Sequence, residues 1–145
     1  MFFLAHQENG FFPANVKKVD WWLDRMLRPE LIPPFDTGTR GVIGVIGNGR
    51  LEGLAVLAIG QFWYTDQKHL EEYVVFVDAD CRGSPHCAAL IDWMKEQSKL
   101  TGLPLFTGIT SNKRTEAKVK LYRRLLPPVG AFFLYEPERS EAVLH

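Results

Sequence analysis

The chain has 145 residues, 46% hydrophobic and 23% charged, enough to bury one core and too few for two comfortable domains, so a single domain over residues 1–145 is expected. Lysine plus arginine balance aspartate plus glutamate at 17 each, which excludes a net field that would gather nucleic acid or an anionic membrane. Two cysteines, Cys81 and Cys87, make no disulfide framework, and the apolar start Met1–Ala5 is cut by His6-Gln7-Glu8-Asn9-Gly10, which argues against a signal peptide or a membrane span; a reducing, cytoplasmic setting is expected.

From Ala14 to Leu27, Val16, Val19, Leu23 and Met26 recur at helical steps while Lys17, Lys18, Asp20, Asp24 and Arg25 fall elsewhere, which predicts an amphipathic helix ended by Arg28-Pro29. A short strand before it is an open alternative, and Pro29, Pro33 and Pro34 punctuate the link to a sheet. Val42–Ile46 and Leu51–Phe62 are rich in Val, Ile and Leu and flank Gly47-Asn48-Gly49-Arg50, which reads as a hairpin. Leu70–Val77 is a third apolar run, suited to a central strand covered on both faces.

Ser84-Pro85 marks a helix start, with the serine as cap and proline at the first helical position, and the helix should run to about Leu100 before Gly102 and Pro104. Leu105–Thr110 is expected as a strand parallel to its predecessor, because strand, helix, strand order implies that pairing. After Ser111-Asn112, a plausible cap, Lys113–Leu126 reads as a second amphipathic helix ended by Pro127-Pro128. Val129–Tyr135 then reads as a last strand and Glu136–His145 as a charged tail. The fold class is α/β (α+β), a mixed, mostly antiparallel sheet flanked by helices.

Val77 to Ile91 forms a strand that runs through a short loop into a helix. Such a loop aims backbone N–H groups at the positive end of a helix dipole and binds phosphate without basic side chains, although an ordinary strand-to-helix connection has the same outline.

The segment resembles the coenzyme A signature of the GNAT acetyltransferases, Val-x-Pro-x-Tyr-Arg-Gly-x-Gly-x-Gly-x-Ala-Leu-Leu, with Val77, Arg82, Gly83, Ala89 and Leu90 in register. Leu121-Tyr122-Arg123-Arg124-Leu125 followed by Phe132-Phe133-Leu134-Tyr135 is similar to that family's closing pattern, and the likeness covers about residues 14 to 136. The resemblance implies a GNAT-like domain that uses acetyl-CoA as co-substrate and carries acetyl to a primary amine in a ternary complex. By position, the backbone of Val75, Phe76 and Val77 would hold the pantetheine arm and main-chain N–H groups there the thioester oxygen. Arg82, Gly83, Ser84, Pro85, His86, Cys87 and Ala88 would cradle the pyrophosphate, and Tyr122 would be the general acid. Glu72 is the candidate general base, with Glu71, Asp78 and Asp80 as substitutes; a structural tyrosine and solvated carboxylates remain the bland readings.

Pro85 and Cys87 stand where the signature has glycines, Thr115 where an asparagine is frequent, and Leu126-Pro127-Pro128 where a glycine follows the tyrosine's helix. The alternative function is therefore a non-catalytic binding or assembly module with a decayed loop. Cys81, His86 and Cys87 match no common zinc spacing, so no metal is expected. Lys113, Arg114, Lys118, Lys120, Arg123 and Arg124 make the last helix basic, an aid to a phosphate or a solvated face. Trp21, Trp22, Trp63 and Tyr64 read as core or as an acceptor pocket. Expected partners are a small-molecule or protein amine, without membrane or nucleic acid; a homodimer stays open.

Overall fold

A computed structural model describes residues 1–28, 40–111 and 113–137. Its elements run α1 (Phe2–Asn9), α2 (Val16–Leu27), β1 (Gly41–Ile46), β2 (Gly53–Gln61), β3 (Lys68–Val77), a 3₁₀ turn (Ala79–Cys81), α3 (His86–Thr101), β4 (Leu105–Phe106) and α4 (Thr115–Leu125). The sheet order is β1-β2-β3-β4, antiparallel for the first two pairs and parallel for β3 with β4, as strand-helix-strand order requires. Gly49 turns the predicted hairpin at φ 78°, a left-handed conformation that glycine adopts without a side-chain penalty.

β2 is buried on both faces and sorts its side chains by alternation. Ala55 and Leu57 meet Leu70 and the α3 residues Leu90, Ile91 and Met94, with Leu121, Tyr122 and Leu125 of α4 packed against that cluster. Leu54, Val56 and Ala58 face the other way and meet Met26 and Trp22 of α2, with Met1 and Val74 alongside. α2 starts where Asn15 accepts from Lys18 N–H at 3.1 Å, one residue beyond the expected start. On the other face, Trp93 of α3 lies so close to Gly44 that a Cβ there would come within 2.8 Å of the indole ring.

Four expectations need correction. Residues 2–9 are a helix, not a short strand, and Ala5 is the residue it buries. α3 is capped by Pro85 rather than by Ser84, whose hydroxyl instead donates to the Cys81 carbonyl at 2.5 Å. β4 is two residues long, because after Phe106 the chain leaves β3 instead of continuing the ladder to Thr110. Residues 129–135 form no strand, and Val129, Phe132, Phe133, Leu134 and Tyr135 are exposed. The proline link at 29–34, Asn112 and most of the tail at 136–145 lie outside the described residues.

Candidate functional site

β3 decides the site through one irregularity. Val56 pairs with Val74 but Leu57 pairs with Glu72, so Tyr73 is an extra residue on β3, a bulge. Strict alternation would put Glu72 on the face of Val74 and Phe76, toward α2. The bulge shifts the register by one, and Glu72 shares a face with Leu57, Val75 and Val77, where α3 and α4 pack.

β3 and β4 pair only at Leu70↔Leu105 and Glu71↔Phe106 and then part. Beyond the fork lies a cavity of about 940 Å³, with Glu72 to Val77 on one wall and Gly108, Ile109, Thr110 and α4 on the other. The loop after β3 and the inner face of α1 close its remaining sides.

Tyr122, on the inward face of α4, donates its phenolic O–H to Glu72, with both carboxylate oxygens at 3.0 Å. Burial raises the Glu72 carboxyl to about 7, against the Tyr122 hydrogen bond, which lowers it. The Tyr122 phenol is pushed well above the usual range by burial first, then by the neighbouring Glu72 and Cys87 charges and its bond to Glu72. Burial also pushes the Cys87 thiol up, and Glu72 adds to it while Lys118 opposes. The expected acid and base are thus brought into direct contact in the cavity wall.

The loop is partly self-satisfied. Cys81 N–H donates to Asp78 O at 2.9 Å, Arg82 N–H to Ala79 O at 3.3 Å and Ser84 N–H to Cys81 O at 3.3 Å. The N–H groups of Gly83, Cys87 and Ala88 have no protein acceptor among the described residues. Gly83 holds φ 90°, a conformation suited to glycine, and no atom lies within 4 Å of the Cβ position it lacks, so its backbone stands open.

The remaining sequence candidates divide. Val75, Phe76, Val77, Arg82, Gly83, Ser84 and Cys87 line the cavity; Pro85, His86 and Ala88 do not. His86 turns outward to Glu52 of the β1–β2 hairpin, Nε2 to Oε2 at 2.7 Å, and Cys81 Sγ accepts from Arg50 at 3.5 Å, so Cys81, His86 and Cys87 do not converge. Among the described residues no group of three His, Cys, Asp or Glu side chains is placed to hold a metal.

Glu71, Asp78 and Asp80 are absent from the cavity wall, and Asp78 instead accepts from Asp80 N–H to cap the 3₁₀ turn. Of the basic helix, Arg114, Lys118 and Arg124 line the cavity. The aromatic acceptor pocket does not form there. Trp22 packs edge-on to Tyr73 at 5.8 Å, while Trp63 is 95% exposed and Tyr64 67%. His6, Glu8 and Asn9 are cavity residues that sequence reasoning missed; only a helical reading of 2–9 would have pointed to them.

No family model and no curated protein matches the chain. Solved structures do. A Trypanosoma brucei acetyltransferase is 21% identical, with 92% of this chain and 87% of that one covered, at TM-score 0.60. An aminoglycoside acetyltransferase from an uncultured soil metagenomic sample is 13% identical over 95% and 84% of the two chains, at TM-score 0.61. A transcriptional regulator from Bacillus halodurans C-125 is 17% identical over 86% and 77%, at TM-score 0.62. At these identities the likeness is one of fold, and the fold is the GNAT acyl-CoA N-acyltransferase fold that the sequence resemblance implied.

Proposed function

We propose that the chain is an N-acetyltransferase that takes acetyl from acetyl-CoA to a primary amine by direct attack in a ternary complex. The observation that carries this reading is the Glu72–Tyr122 pair, a carboxylate raised to about 7 and hydrogen-bonded to a phenol within a forked-strand cleft.

The cleft fits an extended thioester with a diphosphate. Its volume is ample, the free N–H groups of Gly83, Cys87 and Ala88 sit at the start of α3, and Arg82 and Lys118 supply positive charge at the wall. The edge of β3 beyond Glu71 has no strand partner on the β4 side and offers main-chain groups to a pantetheine amide. Acetyl-CoA would supply the acyl group as an activated thioester.

The chain's own part is proton handling. A lysine-type ammonium has a pKa of about 10.4, so an ordinary carboxylate would be a base about six units too weak; burial of Glu72 narrows that gap to about three. Glu72 takes the proton that the amine sheds. Tyr122 gives its phenolic hydrogen toward the departing sulfur and recovers one from the newly protonated Glu72 across the 3.0 Å hydrogen bond. One proton enters at the carboxyl, one leaves at the phenol, and both groups return to their starting states.

The test is a transfer assay with acetyl-CoA and a panel of amines, including aminoglycosides and peptides, read by thiol release and by product mass. Acetylated product that disappears in Tyr122→Phe supports the reading; no product from any amine, with the protein folded, counts against it.

A second reading, a binding module without turnover, draws on Pro85, which brings no N–H to the loop, and on the three loop N–H groups already used internally. It expects ligand binding without product.

A further inference from the structure

α1 closes one side of the cleft and does so with charge. Glu8, in its last turn, reaches both walls: one carboxylate oxygen accepts from Arg82, on the loop after β3, and the other from Lys118 Nζ of α4 at 3.2 Å. Asn9 Oδ1 also accepts from Lys118, and it accepts from Ser111 Oγ at 3.0 Å.

Arg82 and Lys118 are both cavity residues, and the three charged side chains are only 16 to 29% exposed, so their pairing is weakly screened. Burial would raise the Glu8 carboxyl, yet hydrogen bonds and charge from Arg82 and Lys118 hold it below the usual range, so it is ionised at neutral pH.

The helix that carries Glu8 is weakly anchored. It is eight residues long, Ala5 is its buried residue, and Phe3 and Leu4 are exposed, so little apolar burial opposes its release.

We propose that Arg82 and Lys118 form an anion site spanning the two walls of the cleft, and that Glu8 fills it as a built-in competitor, so that α1 latches the cleft until a diphosphate-type ligand displaces it. That the ligand is acetyl-CoA rests on the function proposed above; the latch itself does not. A ligand that must first displace Glu8 binds with an affinity reduced by the fraction of molecules whose latch is open. Neutralising Glu8 removes that penalty.

The experiment is calorimetric titration of inorganic pyrophosphate, and separately of acetyl-CoA, into the full chain and into Glu8→Gln and Glu8→Gln/Lys118→Met. Glu8→Gln should bind pyrophosphate about tenfold or more tightly than the parent, and the double variant should lose that gain. A structural role for Glu8 predicts the opposite, weaker or unchanged pyrophosphate binding in Glu8→Gln, and either result, or none binding at all, overturns the latch.

Hydrogen exchange on the unaltered chain gives a readout that no folding defect can confuse. Amides of residues 2–9 should exchange faster when pyrophosphate saturates the site, and unchanged exchange overturns the proposal. Tighter pyrophosphate binding in Glu8→Gln with no acetyl-CoA binding by either protein keeps the latch and removes the donor assignment. Equal acetyl-CoA and equal pyrophosphate binding by both keeps the donor and removes the latch.

Discussion

Glu72→Gln removes the ionisation at the centre of the cleft while leaving a carbonyl oxygen to accept from Tyr122. Burial raises the folded-state pKa to about 7 from an ordinary carboxyl value of 4.5, so the folded protein takes up this proton at higher pH than the unfolded chain. The stability associated with the proton is fully present below about 4.5 and is lost as pH rises through about 7. At about 1.4 kcal/mol per pKa unit, the ionised carboxylate costs the fold on the order of 3 kcal/mol at pH 8. Gln carries no such cost.

The variant should therefore melt roughly 5 to 10 °C above the parent near pH 8 and converge with it toward pH 4.5. Its acetyl transfer should fall about 10²- to 10⁴-fold, the usual contribution of a positioned base. Scanning calorimetry across pH reads the first effect and thiol release the second. A variant that melts lower than the parent at pH 8, or whose advantage does not change with pH, would refute the burial argument; unchanged turnover would refute the base.

Tyr122→Phe removes the hydrogen bond that lowers the Glu72 pKa, so the half-point of the pH–melting curve should move upward from about 7, and turnover should drop by about 10²-fold or more. A half-point that stays put or moves down contradicts the pairing. Met94→Ala opens a cavity under α3 at a fully buried position and should lower stability by about 2–5 kcal/mol in denaturant titration, with acetyl-CoA affinity little changed. A loss under about 1 kcal/mol would mean that the α3 core collapses to refill the space.

The parts of this fold that were legible are those where a local pattern decides. The hairpin turn at Gly49, the amphipathic faces of α2, α3 and α4 and the parallel β3–β4 pairing all follow from periodicity, turn chemistry and connection length. Tyr122 and Glu72 were nominated from family position, and the structure puts them in hydrogen-bond contact.

The bulge at Tyr73 was not legible. It depends on how β3 pairs with β2, a long-range choice, and without it alternation turns Glu72 toward α2. The early departure of residues 107–110 from the sheet has the same cause: an apolar run is compatible with a strand but does not say how far its neighbour stays beside it. Residues 129–135 carry strand-like aromatics, yet no neighbouring edge takes them up in this chain. Residues 2–9 hide a helix because Phe2, Phe3 and Leu4 do not mark one face. Its place is set by Glu8 and Asn9 meeting Arg82, Lys118 and Ser111 more than seventy positions away.

Titrating acetyl-CoA into the unaltered protein by calorimetry at pH 8 tests the central claim most directly, that the fork between β3 and the chain after β4 is a thioester site. Saturable one-to-one binding tighter than about 1 mM, abolished by Arg82→Ala, is the expected result. No heat of binding at millimolar acetyl-CoA, from a protein whose melting curve shows it folded, would contradict it.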